Sequence, residues 1–153
     1  MFLIKILYNI INQKWGKFIL FNLGEKIDKN KALNINPIVL AFVGDAVYSL
    51  FIREKLTFES DSKTGQLNKL AIKQVNAIAQ SEFVKEILPL FDEEELAIYK
   101  RARNAKKTTR SKNASVSEYN ASTGFEAVLG FLHIIGNIDR LNFLLNKGYK
   151  NED

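Results

Sequence analysis

Cysteine is absent from this chain, and histidine occurs once, at His133. Without cysteine there is no disulfide, thiolate nucleophile or thiolate metal site, which fits a reducing compartment such as the cytoplasm. A single histidine removes His-rich zinc sites. A Ser–His–Asp arrangement would have to use His133, which lies on a mostly apolar segment with no nucleophile elbow near it. Proline is confined to Pro37 and Pro89, and nowhere does the alternating pattern of a strand appear. The chain therefore reads as all-α. A clean membrane-spanning run is also missing. Met1 to Leu23 comes nearest, but Lys5, Asn9, Asn12, Gln13, Gly16 and Lys17 interrupt it at helical spacing. That pattern is one polar stripe on an amphipathic helix, expected to pack on the domain or a partner. A membrane-surface helix and a misplaced start codon are the competing readings. With no small-residue cleavage site after it, a secretory signal is not expected.

What is present describes an ordinary globular domain. The 153 residues are 46% hydrophobic and 25% charged, enough for one domain with a real core. The net charge of +5 suggests an anionic partner such as nucleic acid. Gly24 to Asn34 is polar with mixed charges and reads as a linker, so residues 1–32 form an extension and the domain begins at 33. Residues 149–153 read as a tail, with fraying expected from Lys147.

Asn36 to Lys55 is the first unusual stretch. Pro37 suits the first turn of a helix, and from Ile38 to Tyr48 every residue is apolar or Gly except Asp45. A helix apolar nearly all round is expected to be buried, and a carboxylate inside it is costly unless paired, bound or protonated. Gly44 would let another backbone, or a ligand, come close. An Asp that caps a neighbouring helix or pairs with a buried Arg fits this stretch equally well.

After a polar turn over residues 57–65, Leu67, Leu70, Ala71, Val75 and Ile78 predict a helix from Gln66 to Gln80. A further helix covers Ser81 to Leu88 and stops at Pro89. Asp92 with Glu95 reads as a capping box, and Ser115 with Glu118 as another. Between Glu95 and Glu118 no acid occurs, while Lys100, Arg101, Arg103, Lys106, Lys107, Arg110 and Lys112 do. Such a run is usually a solvated loop, but clustering of one sign in a chain of mixed charge favours phosphate binding. The helix opened at Ser115 is apolar or Gly from Phe125 to Ile135 apart from Glu126 and His133. Ser122, Thr123, Gly130 and His133 share the face of Glu126. A last amphipathic helix begins at Asn137.

Two lone acids on two apolar helices point to chemistry if the fold brings them together. Asp45 and Glu126 would repel, and one would stay protonated unless a cation lay between them. Mg2+ needs only one or two carboxylates, with waters and substrate phosphate completing its shell. It also activates water near neutral pH and offsets charge on a phosphate in flight. No His or Cys is required. The pieces point to metal-dependent phosphodiester cleavage.

The stretch LAFVGDAVY from Leu40 to Tyr48, followed by STGFEAVLGFL from Ser122 to Leu132, resembles the catalytic domain of ribonuclease III. The match is closest to its short bacterial branch, Mini-ribonuclease III, which lacks the double-stranded-RNA-binding domain. Residues 100–123 also resemble that branch's basic loop. The resemblance covers roughly Leu33 to Asn146 and makes residues 33–148 the catalytic-type domain. It implies a helical bundle, a homodimer, Mg2+ (or Mn2+ in its place), and cleavage of double-stranded RNA in the maturation of large-subunit ribosomal RNA precursors. It assigns Asp45 and Glu126 as metal ligands and catalytic residues. Arg101, Arg103, Lys106, Lys107, Arg110 and Lys112 then become candidates for contact with the RNA backbone, because an A-form duplex is read through phosphates and 2′-hydroxyls. Full-length members carry further acids where this chain has Ala41 and Thr123, so the metal should bind weakly without RNA. His133 is expected to pack rather than ligate. A non-catalytic RNA-binding or ribosome-associated protein on the same fold is the alternative, and an adaptor acting through Met1 to Leu23 is a third reading.

Overall fold

The computed structural model describes residues 26–108 and 112–149. The amphipathic helix expected over Met1 to Leu23, Arg110 and the tail from Lys150 lie outside the described residues.

The first helix, α1 (Lys29–Leu33), stands inside the expected linker. Asp28 accepts from the amides of Asn30 and Lys31 to start it, and Ala32 is fully buried. Ala32 thus packs into the core one residue before 33. Helix α2 (Pro37–Glu59) is capped by Asn36, which accepts from the Ile38 amide. It runs past Lys55 because the extra turn buries Leu56 below Ile52. The single helix expected over Gln66 to Gln80 is two, α3 (Thr64–Val75) and α4 (Ala77–Ile87). Asn76 makes the break: its Oδ1 accepts from the Ala79 amide, while its Nδ2 donates to the Ile72 and Lys73 carbonyls. One side chain thus closes α3 and opens α4.

A 3-10 turn at Leu88–Leu90 leads to α5 (Glu93–Asn104) and then to α6 (Val116–Ile134). Both expected capping boxes form, Asp92 with Glu95 and Ser115 with Glu118. Gly136, at φ +71°, turns the chain into α7 (Ile138–Gly148). The expected fraying from Lys147 does not occur. Gly148 is buried, and the Tyr149 ring meets Phe51 edge-on at 5.6 Å.

Helix α6 is the axis of the bundle, with α2, α5 and α4 packed along it and α7 across α4 and its own end. Its central residues Phe125, Ala127, Val128 and Leu129 are fully buried. Tyr48 joins the Phe83 and Phe125 rings edge-on at 5.2 and 5.1 Å. Among the described residues there is no strand, and no helix is long and apolar enough to cross a membrane.

Candidate active site

The site begins with two glycines. A Cβ on Gly44 would lie 1.7 Å from the Glu126 carbonyl oxygen, and one on Gly130 would lie 1.9 Å from that of Leu40. Only the missing side chains let α2 and α6 cross with their backbones in contact. The crossing sets Asp45, next to Gly44, beside Glu126. Burial first, and the Asp45 charge second, push the Glu126 carboxyl up to about 8. The two lone acids of the sequence are thus electrostatic neighbours.

Asp45 itself is exposed, which corrects the expectation of a carboxylate inside a buried helix. Helix α2 buries Leu40, Gly44, Tyr48 and Ile52, but its other face is open: Phe42 is 81% and Val39 52% exposed. All its packing partners lie on one side, so apolarity all round did not mean burial all round. Glu126 is half-buried, and both acids line a cleft of about 630 Å³ that also receives Gln80, Lys106, Lys107 and Thr123.

The basic candidates divide. Arg103, Lys106 and Lys112 are exposed. Lys107 is half-buried; its Nζ donates to Asn120 Oδ1 at 2.8 Å and to the Arg103 carbonyl at 3.2 Å, and it lies over the Tyr119 ring. Burial holds its ammonium below the usual lysine range. Arg101 is exposed in part but committed: Nη1 donates to the Leu33 carbonyl at 2.6 Å and Nη2 to that of Ile35 at 2.7 Å. A planar fork suits two carbonyls left free past the end of α1. Its guanidinium thereby fixes the turn that launches α2. Lys100, Arg101 and Arg103 also stand on α5 rather than in a loop.

Ala41 and Thr123 are buried, and Thr123 Oγ1 donates to the Tyr119 carbonyl at 2.9 Å. Among the described residues no group of three or more His, Asp or Glu is placed to hold a metal, which leaves the two carboxylates. His133 lines a separate, apolar cavity of about 260 Å³ with Val47, Leu50, Phe51, Ile138 and Leu141. Burial lowers its pKa.

Two features escaped sequence reading. Gln80 is 1% exposed and lines the cleft; the only signal was a glutamine in helical register with Val84 and Ile87. A second acid-free stretch runs from Ser62 to Ser81 with Lys63, Lys69 and Lys73. All three lysines are exposed on or beside α3, whose last residue, Val75, reaches the cleft.

Comparison with known proteins gives a consistent picture. The family model of the ribonuclease III domain matches residues 38–137. The chain is 42% identical over 124 residues to Mini-ribonuclease 3 of Clostridium tetani, across 80% of this chain and 82% of that protein. It is 45% identical over 121 residues to Mini-ribonuclease 3 of a Thermoanaerobacter species, across 79% and 85%. A crystal structure of a protein from Fusobacterium nucleatum superposes with a TM-score of 0.66 at 33% identity, covering 74% of this chain and 90% of that one.

Proposed function

The chain belongs to the ribonuclease III family, in its Mini-ribonuclease 3 branch, and is an endoribonuclease; on that premise we propose that it hydrolyses double-stranded RNA at Asp45 and Glu126 with Mg2+. The observation that carries this reading is the glycine crossing of α2 and α6, which sets the two acids close enough for one to raise the other's pKa. Left to themselves, two such groups cannot both ionise cheaply; a divalent cation removes the conflict.

The residues fit that cation. The carboxylates offer oxygen donors, and two of them suffice for Mg2+ when waters and phosphate complete the shell. Mn2+ can take its place. Asp45 and Glu126 would hold the ion, which when bound activates water near neutral pH and offsets the phosphate's charge.

Lys106, at the cleft, and Arg103 and Lys112, near it in the chain, meet the duplex backbone on one side, and Arg110 is a further candidate for that contact. Lys69 and Lys73 do so on the other. Lys107, tied to Asn120, holds the root of the α5–α6 segment and presents its charge to the cleft. Recognition through backbone and shape suits an A-form duplex. The substrate we propose is a large-subunit ribosomal RNA precursor, met in the cytoplasm.

The open face of α2 supports a homodimer. Phe42 and Leu50 lie four residues to either side of Ala46, roughly 12 Å apart along the helix. Two α2 helices crossing antiparallel about a two-fold axis at Ala46 would seat each exposed Phe42 in the partner subunit's apolar cavity at Leu50 and His133.

The test is Mg2+-dependent cleavage of a long RNA duplex by wild type, Asp45→Asn and Glu126→Gln, with binding followed in parallel. Cleavage by wild type alone, with binding retained in all three, supports the assignment. Binding without cleavage in any of them favours a non-catalytic RNA-binding role on the same fold.

A further inference from the structure

Three helices contribute polar groups to the floor of the cleft: α2 gives Asp45, α6 gives Glu126 and α4 gives Gln80. Gln80 is the unexplained member. At 1% exposure it occupies a core position, in register with the fully buried Ile87 and with Val84. Glutamine is rarely buried so completely, and an apolar side chain of the same size would complete that stripe at no polar cost.

Its amide is oriented by a backbone carbonyl. Nε2 donates to the Val75 carbonyl at 3.2 Å, at the closing end of α3. The same side chain lines the cleft beside Glu126 and favours the charged form of its carboxyl. With the amide held there, Oε1 has no partner among the described residues. It is the one buried side-chain oxygen or nitrogen among the described residues left without one. Stranding a buried acceptor is costly, and native proteins rarely do so without a use. The neighbouring Thr123 cannot take over, because its hydroxyl is already committed to Tyr119.

We propose that Gln80 is a positioning residue of the active site, which holds the Glu126 carboxylate toward Asp45 so that the pair can grip a divalent cation. The inference rests on the reading that Asp45 and Glu126 hold that ion. The Val75 carbonyl holds the amide, and the held amide orients the carboxylate beside it on the cleft.

The experiment measures Mn2+ binding to the RNA-free protein by water-proton relaxation, for wild type, Gln80→Met, Gln80→Leu and Glu126→Gln. The Mg2+ dependence of duplex cleavage and the melting temperature are recorded beside it. Both Gln80 variants are expected to bind Mn2+ about 10- to 100-fold more weakly, the usual range when the hydrogen-bond partner of a ligand is removed. The Mg2+ needed for half-maximal cleavage should rise in proportion, while Tm holds or increases. A purely structural Gln80 would lower Tm and leave the Mn2+ affinity alone, and that result overturns the proposal. If Glu126→Gln binds Mn2+ like wild type, the carboxylate reading itself fails and the proposal falls with it. The wild type offers a check free of substitution: the Gln80 side-chain amide resonance should move as Mg2+ is added, and a stationary resonance is equally fatal.

Discussion

Glu95 and Glu126 are acids drawn into the same bundle, and they have opposite surroundings. Glu95 is 2% exposed, and both its oxygens are engaged: Oε1 accepts from Arg140 Nε at 2.8 Å, and Oε2 from Arg140 Nη2 at 2.8 Å and the Asp92 amide at 3.0 Å. Among the described residues no cation is paired with Glu126. Its neighbours are a second acid, Asp45, and the amide of Gln80. The first arrangement is complete in itself and ties α5 to α7. The second sets one acid beside another, a conflict that a cation would resolve. A partly buried acid with a fork partner marks structure; one facing another acid marks a site.

The comparison breaks most visibly in cleavage. Glu126→Gln or Asp45→Asn should lower the rate of duplex cleavage by about 10³-fold or more, on the scale of several kcal/mol of charge stabilisation, with Tm of Glu126→Gln unchanged or raised. Steady cleavage by either variant would remove the distinction between the two acids. Glu95→Gln should do the reverse. Denaturant unfolding is expected to show a loss of about 2–4 kcal/mol, below the top of the range for a broken buried pair because the Arg140 side chain keeps 26% of its surface in water. Cleavage per folded molecule should hold.

A smaller effect concerns pH. The Glu126 carboxyl titrates near 8 in the fold against 4.5 in the unfolded chain, so the folded state keeps a proton that the unfolded state loses. The contribution of Glu126 to the stability of the metal-free protein is then fullest below pH 4.5 and declines as pH rises toward 8. Glu126→Gln should abolish that decline, read as the urea midpoint at pH 5 and pH 8. Equal slopes for the two proteins would mean that Glu126 is not held neutral.

The smallest effect separates the arginines and lysines. Replacing Arg103, Lys106 and Lys112 by Ala should flatten the salt dependence of duplex binding by roughly one unit of slope for each phosphate no longer neutralised. Arg101→Ala should leave that slope alone and lower Tm, since its guanidinium serves the Leu33 and Ile35 carbonyls. A slope change in Arg101→Ala alone would return that residue to the RNA interface.

Much of the fold is legible in the sequence. The capping boxes at Asp92 and Ser115 form as expected, because a cap and its partner lie three residues apart and answer to local geometry. The lone acids stand out because an apolar run makes any charge conspicuous. The break at Asn76 does not show in the pattern, since the apolar spacing continues through it and only the side chain's double use of the backbone ends one helix and begins the next. The basic run is legible in charge but not in use, as with Arg101 and Lys107, whose partners lie far away in sequence or across a loop.

Sequence alone settled the helical class, the capped helix starts at Pro37, Glu93, Val116 and Ile138 and the presence of two lone acids in apolar runs, all consequences of periodicity and of interactions within one or two turns. The tertiary structure decided the rest: that Gly44 and Gly130 press α2 onto α6, that Phe42 and Asp45 stay in the open, that Gln80 is buried against Glu126. Those outcomes depend on which helix face finds a partner from a distant part of the chain, and a one-dimensional pattern does not encode that choice.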